Sequence, residues 1–358
     1  MADSSPTNTG QHSQQIENDA FRLVKSPLRY LVRYLAVTLD ELYQPVKAEL
    51  AEAQTIVAAL WNEALSLVNG PSAPPPKPGG KLLRPALCLL SAGVAGANGD
   101  LSRFVNLAAA LELLHLAALT HDDVVDRSSL RRGTASLNAL WNDHIAVLSG
   151  DYLVARAVSL LVGMKSIDLI ANAFETVRKM TEGELRTLSD SSNGYTQEDC
   201  LRLAEQKTAS YFATTCTAPT YVLETGCREP LHHYGLSLGI AFQLIDDILD
   251  LVQDQETLGK PSCGDIAEGK RTLPILYMRE GLPPGDADRL TGMVGRPLSD
   301  EERAWTARAL ERSGARFRTE QIARSYASAA QNALGPLPAS SFKESLLGLT
   351  EFVLVRGF

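Results

Sequence analysis

Asp122-Asp123-Val124-Val125-Asp126 closes one long apolar stretch, and Asp246-Asp247-Ile248-Leu249-Asp250 closes another 124 positions later. On a helix, residues four apart share a face, so Asp122 projects with Asp126 and Asp246 with Asp250. Two such helices set face to face make a cleft walled by carboxylates with apolar surface beneath. That cleft repels anions until hard cations fill it. Mg²⁺ suits the task, because it takes a few carboxylates and completes its octahedron with water and phosphate oxygens. The paired pentads therefore read as the mouth of a site for a diphosphate carried on an apolar tail.

One pentad alone has a plainer reading, as a solvated helix end. Each Asp/Asp pair at i,i+4 costs about 0.2–0.5 kcal/mol, and carboxylates in a last turn oppose the helix dipole by about 0.3–1 kcal/mol each. Such sums are too small to forbid it. Two pentads, each ending an apolar run, favour the paired site, and the flanking basic residues favour it further.

Helical periodicity dominates outward from the pentads, and strand-like alternation is hard to find. Residues 28–69 carry apolar positions at three-to-four spacing, and further helices are expected at 82–95, 102–126, 137–163, 168–189, 197–224, 229–253, 270–280, 300–313, 316–334 and 339–356. Breaks fall at Gly/Pro or polar clusters such as 96–100, 190–194, 281–285 and 335–336. The pattern predicts a single large all-α bundle over residues 19–358, with a Pro/Gly-rich linker at 70–80 and the pentad helices as its central pair. Residues 1–18, rich in Ser, Thr, Gln and Asn, read as a disordered tail.

The bulk numbers exclude several classes. A chain of 358 residues with 45% hydrophobic and 21% charged content has ample material for a core. Its 34 basic against 42 acidic residues give −8, which argues against nucleic acid as a partner. The five cysteines are scattered with no CxxC, so neither a disulfide framework nor a zinc site is indicated, and a cytoplasmic setting is expected. No run reaches ~18 uninterrupted apolar residues; in 145–164, Asp151 and Arg156 interrupt it. The N-terminus lacks the features of a signal or transit peptide.

Basic residues surround the acidic motifs. Lys81 and Arg84 stand i,i+3 at the start of a helix, where they either grip a phosphate beside free backbone N–H groups or form a solvated turn. His115 lies two turns before Asp122 on the same face, as a ligand or as a core histidine. Arg127, Arg131 and Arg132 follow the first pentad in a loop. They either neutralise its carboxylates or hold a diphosphate, the bidentate task that guanidinium suits.

Taken together, these residues resemble the trans-isoprenyl diphosphate synthase (polyprenyl synthetase) family over roughly residues 75–358. The match runs through Gly79-Gly80-Lys81-Leu82-Leu83-Arg84-Pro85, Glu112 to Asp126 (ExxHxxxxxHDDxxD), Arg131–Gly133, Gly150-Asp151-Tyr152, Glu182-Gly183-Glu184 and Lys207-Thr208. It continues through Phe242-Gln243, the second pentad, Gly259-Lys260-Pro261, Asp265, Glu268-Gly269-Lys270 and Thr272-Leu273-Pro274. The resemblance implies the isoprenoid synthase fold and head-to-tail condensation of isopentenyl diphosphate with an allylic diphosphate. Asp122, Asp126, Asp246 and Asp250 would hold Mg²⁺. Arg131, Lys207, Thr208, Gln243, Lys260 and Lys270 would bind the allylic substrate, and Lys81, Arg84, His115 and Arg132 the isopentenyl diphosphate. A homodimer is also implied. Leu82, Ala135-Ser136, Thr187 and Cys263 depart from the usual family residues, and none removes a metal ligand or a diphosphate cation.

Product length is expected to depend on the wall below the first pentad, where Ala118, Ala117, Leu114 and Leu111 descend and the helix from Asp122 to Leu111 covers roughly 16 Å at about 1.5 Å per residue. Short-chain members tend to place an aromatic residue at the first two of these positions. Two alanines point to a product longer than C20, in the range C30 to C50. The rival readings are a short-chain farnesyl or geranylgeranyl diphosphate synthase, a class I terpene cyclase, and a non-catalytic subunit of a heteromeric synthase. A cyclase would usually carry a different second metal motif, and a non-catalytic subunit can lose aspartates or lysines that are all present here.

Overall fold

The computed structural model describes residues 38–68, 78–97, 100–189, 194–223, 225–252 and 262–355. The tail expected at 1–18 and most of the linker at 70–80 lie outside the described residues. In chain order the longer helices are α1 (Lys47–Ser66), α2 (Leu83–Val94), α3 (Val105–Val125), α4 (Asp143–Gly163), α5 (Ile167–Ser189), α6 (Gln197–Ala204) and α7 (Ser210–Thr217). They continue as α8 (Arg228–Val252), α9 (Leu273–Gly281), α10 (Pro284–Thr291), α11 (Asp300–Arg312), α12 (Ala315–Ala333) and α13 (Ser341–Val355). Among the described residues the only strands are β1 (Leu130–Arg131) and β2 (Thr134–Ala135), an antiparallel hairpin just beyond the first pentad. The architecture is all-α.

Helix α3 is apolar on every side, and its residues from Leu107 to Leu114 are buried, as such a helix must be. It lies against α4, α1 and α2, while α8 lies against α7, α12 and α13. Leu107, Leu111, Leu113 and Phe104 are wholly shielded from water, each worth about 1.5–3 kcal/mol of burial. Two buried phenols tie the layers together. Tyr211 of α7 donates to the Leu111 carbonyl of α3, and Tyr234 of α8 donates to the Leu346 carbonyl of α13 at 2.7 Å.

The seam between α7 and α8 sets the position of the second pentad. Gly235 and Gly239 lie one turn apart on α8, and a Cβ at either would come within 2.7 Å of Ala213 Cα or 2.5 Å of Ala209 Cα. Only glycine lets the two backbones approach this closely. The same stripe continues at four-residue steps to Gln243 and Asp247, so the close approach carries those side chains to the neighbouring wall. That wall is a π-helical turn, Glu205–Ala209, between α6 and α7. Such turns re-aim side chains inside a helix, and this one holds Lys207 and Thr208.

The 137–163 segment, expected as one helix, is broken. Asn142 is extended and its side chain accepts the Ile145 N–H, capping α4 and detaching the short turn Leu137–Leu140. Among the described residues, two helices are long and apolar enough by length and composition to cross a membrane: Leu101–Val125, which is mostly buried, and Asp143–Gly163, which is mostly not. The first is a core helix. The second leaves Val147, Leu148 and Val162 on the surface.

Candidate active site

The first pentad occupies the last turn of α3, and its three carboxylates part company. Asp122 and Asp126 face the same way as the half-buried His115 and Ala118, along a stripe that interrupts an otherwise buried helix. Asp123 turns to the other side and is buried. Arg131 of β1 grips it, with Nε at 2.9 and 3.2 Å from its two oxygens and Nη2 closer still. The Asp123 carbonyl accepts Ser128 N–H at 2.8 Å and Asn138 Nδ2 at 3.2 Å. Asp123 thus anchors the loop in which Arg127 and Arg132 adopt positive φ of 51° and 50°. Burial pushes the Asp122 carboxyl above its ordinary range; Lys207 pulls it down, and Glu184 and Asp126 add to the rise. Such a crowd of carboxylates calls for cations.

The second pentad lies in the last two turns of α8. Asp246 is half-buried. Asp247 is buried and accepts Gln243 Nε2 at 2.7 Å, while Gln243 Oε1 accepts the Thr208 hydroxyl at 2.5 Å. Burial, then the neighbouring Asp265, holds the Asp247 carboxyl well above the usual carboxylate range. Asp250 is engaged by the loop that follows. Its Oδ2 accepts the Asp265 N–H at 3.0 Å and its carbonyl accepts the Cys263 N–H at 2.7 Å. Cys263 has φ +61° there, a conformation that suits glycine better.

Lys270 joins the two acidic groups. Its ammonium lies 3.2 Å from Asp126 of the first pentad and 4.0 Å from Asp265, and it also pairs with Glu268. Burial disfavours that charge, yet Asp265, Glu268 and Asp126 together hold it above the ordinary lysine range. Lys207 pairs with Glu184 at 2.8 Å. Lys207, Gln243, Asp247, Asp265 and Lys270 line one solvent-open pocket, with Cys200, Leu203 and Ala204 as its apolar side.

A second basic group lies beside this pocket. The Arg84 guanidinium stands 5.3 Å from the Tyr211 ring and 5.2 Å from the Phe212 ring, a favourable placement for a cation. Arg132 lies against Gly80, where a Cβ would come within 2.8 Å of its Nη2. Glu112, buried at 4% exposure, feels both Arg84 and Arg132, although burial raises its carboxyl on balance. His115 is held neutral: burial first, then Arg84, Arg132 and Arg131, press its pKa well below 6.5.

The structure therefore gathers Lys207, Thr208, Gln243 and Lys270 on one wall, and Arg84, His115 and Arg132 around Glu112. Lys260 lies outside the described residues. Of the four wall positions on α3, Leu111, Leu114 and Ala117 are packed, at 0%, 5% and 1% exposure, and Ala118 is partly open. Glu112, Asp123, Glu184 and Asp265 take part without having been assigned roles. Their signal in the sequence was only that each is acidic and lies inside a matching motif.

Among the described residues, no three His, Cys, Asp or Glu side chains converge closely enough to cage an ion. Asp122, Asp126 and Asp246 carry carboxylate oxygens that could serve a hard divalent ion, and Lys270 provides positive charge beside Asp126.

A sequence profile for polyprenyl synthetase matches residues 67–310. The all-trans-nonaprenyl-diphosphate synthase (geranyl-diphosphate specific) of Rhodobacter capsulatus is 34% identical over 319 residues, spanning 88% of this chain and 98% of that protein. The octaprenyl diphosphate synthase of Escherichia coli K12 is 32% identical, over 89% of this chain and 99% of its own. A crystal structure of a Caulobacter crescentus polyprenyl synthase, complexed with calcium and isoprenyl diphosphate, superposes with a TM-score of 0.79 at 34% identity, covering 89% of this chain and 98% of that one.

Proposed function

The chain belongs to the polyprenyl synthetase family, and from that premise we propose how its own residues carry out prenyl transfer. It is a trans-prenyltransferase that makes long-chain all-trans polyprenyl diphosphates, and the family uses a divalent metal and isoprenyl diphosphate substrates. Mg²⁺ is the ion proposed here, held by Asp122 of α3, Asp126 at its C-terminal cap and Asp246 of α8, with Asp250 fixing the loop behind them. When bound, the ion adds positive charge to the departing diphosphate.

Lys207, Lys270 and Arg131 hold the allylic diphosphate and offset the charge that grows on its leaving oxygen. Thr208 and Gln243 orient that group from the π-helical turn, and Lys260 completes the allylic set. Lys81, Arg84 and Arg132 hold isopentenyl diphosphate, and His115, being neutral, donates an N–H without adding repulsion to its cationic neighbours. The allylic C–O bond ionises. The double bond of isopentenyl diphosphate then attacks the cation from about 3–3.5 Å, a C–C bond forms, and the departing diphosphate takes the proton released as the new double bond closes. The product re-enters as the allylic partner.

The observation that carries this reading is the Lys270 ammonium joining Asp126 of the first pentad to Asp265 beyond the second. The proposed product lies between C30 and C50, the working form is a homodimer, and the site of action is the cytoplasm. Supporting the last two are the apolar surface of α4 and five cysteines that are all free thiols. The test is to incubate pure protein with Mg²⁺, labelled isopentenyl diphosphate and a farnesyl or geranylgeranyl starter, then size the products. Asp122→Ala and Asp246→Ala should each lose about a hundred- to a thousandfold in turnover, in line with removal of a principal electrostatic group. Retention of most turnover in either would remove that aspartate from the metal site.

A further inference from the structure

Lys81 is held by two aromatic residues that come from outside the span matched by the family profile, one before it and one after it. Tyr43, buried at 7% exposure, donates its hydroxyl to the Lys81 carbonyl at 2.8 Å across 38 positions of sequence. Phe352 of α13 places its ring centroid 5.5 Å from the Lys81 ammonium. The backbone between these contacts is unusual. Gly80 has φ +138° and Leu82 has φ +47°, so both neighbours of Lys81 lie in conformations that side-chain-bearing residues rarely adopt.

Such a segment does not keep its geometry unaided. A leucine at φ +47° is strained and persists only where the surroundings over-determine it. On one side, Gly80 lies against the Arg132 guanidinium. On the other, the Tyr43 hydroxyl fixes the carbonyl that joins Lys81 to Leu82. Lysine also has a long flexible stem and loses much rotamer freedom when it grips a ligand. An aromatic face beneath the ammonium restricts that stem in advance while leaving the charge in place.

We propose that Tyr43 and Phe352 are positioning residues for isopentenyl diphosphate, Tyr43 by pinning the Lys81 main chain and Phe352 by steering its ammonium toward the second diphosphate. The inference rests on the assignment of Lys81 to that substrate. Both residues act through Lys81 and neither touches the reacting atoms. Two residues that flank the profile-matched span therefore tune the affinity for one substrate and not for the other.

Steady-state kinetics on the full chain test this, with each substrate varied while the other is saturating. Tyr43→Phe removes only the hydroxyl and should raise KM for isopentenyl diphosphate by roughly two- to twelvefold, the range of one neutral hydrogen bond. KM for the allylic diphosphate should stay within about twofold. Phe352→Leu should behave alike, and Phe352→Tyr, which keeps the π face, should restore the wild-type value. In a Lys81→Met background neither substitution should have a further effect, because the ammonium that both place, one through the main chain and one through the side chain, is gone. Equal rises in both KM values, a fall in kcat alone, or effects that add to those of Lys81→Met would overturn the proposal. If Tyr43→Phe fails to fold, the Phe352 pair carries the same comparison. Wild-type protein that consumes no isopentenyl diphosphate would instead sink the assignment of function.

Discussion

His115 sits among three guanidiniums, and its neutrality has a measurable consequence. Its folded-state pKa lies well below the unfolded value near 6.5, because burial and then Arg84, Arg132 and Arg131 disfavour the imidazolium. Between those two values the unfolded chain binds the extra proton and the folded chain does not. Stability is therefore fully present above pH 6.5 and is lost as pH falls below it, by up to about 1.4 kcal/mol per pH unit for one proton. Urea unfolding at pH 5, 6 and 7 should show this slope in the wild type and a shallower one in His115→Gln. Equal slopes would mean that His115 titrates normally. The neighbouring wall residues make a second residue-scale contrast. At about 100° per residue, Ala118 stands some 40° round α3 from Asp122, whereas Ala117 stands about 140° away. Ala118→Tyr should shorten the polyprenyl product, read by chromatographic sizing. Ala117→Tyr, placed in packed interior, should instead lower stability by about 1–3 kcal/mol.

Among the elements, α8 shows why glycine spacing matters more than glycine itself. Alanine at a helix interior gains about 1 kcal/mol over glycine. At Gly239 that gain is overwhelmed, since the new Cβ would lie 2.5 Å from the Ala209 backbone and neither helix can yield locally. At Gly150 a Cβ would meet His121 Nε2 at 2.3 Å, but that contact is the tip of a half-buried side chain. The ring can swing away for the loss of its contacts with the Val147 carbonyl at 3.1 Å and Asp151 at 3.5 Å. Urea denaturation should therefore find Gly239→Ala destabilised by at least about 2 kcal/mol and Gly150→Ala within about 1 kcal/mol of wild type. Gly239→Ala should also lower activity by parting Thr208 from Gln243.

Periodicity made most of these helices legible: the expected segments 82–95, 168–189, 300–313 and 316–334 fall within two residues of α2, α5, α11 and α12. What it missed has local causes. Asn142 caps α4 with a side-chain hydrogen bond that breaks no hydrophobic rhythm, so 137–163 read as continuous. Helix α10 begins on Pro284 inside a Gly/Pro cluster that reads as loop, although proline at a first helical position is favourable. The π-helical turn leaves no composition signal. At the site, i,i+4 spacing identified Asp122 with Asp126, but spacing could not tell that Asp123 would turn to Arg131. Nor could it tell that Asp250 would be engaged by the Asp265 N–H, since the loop folds back over α8 from beyond the helix.

For the whole molecule the unusual element is α4, which is as apolar as a core helix although most of it is not buried. Leu148 is 66% exposed and Val162 55%, and Ile167, at the start of α5, is 78% exposed. Phe174 continues the apolar surface along α5 at 37%. Scattered apolar residues on a surface need no explanation, but several along two successive helices are what a docking face would present. In the proposed homodimer a second copy of the chain would cover that face by two-fold symmetry, each α4 meeting its counterpart through the same residues. Because α4 also packs directly on α3, the helix bearing Asp122 would be braced from the interface. Leu148→Glu places a charge on that face twice per dimer and should convert the protein to monomer. Sedimentation equilibrium at micromolar concentration reads the change directly. Its unfolding midpoint in urea should fall, since an isolated subunit loses the stabilisation that mass action gives an assembled one. If Leu148→Glu sediments as the wild type does, α4 is not the contact between subunits; if the wild type is already monomeric, the homodimer proposal itself is wrong.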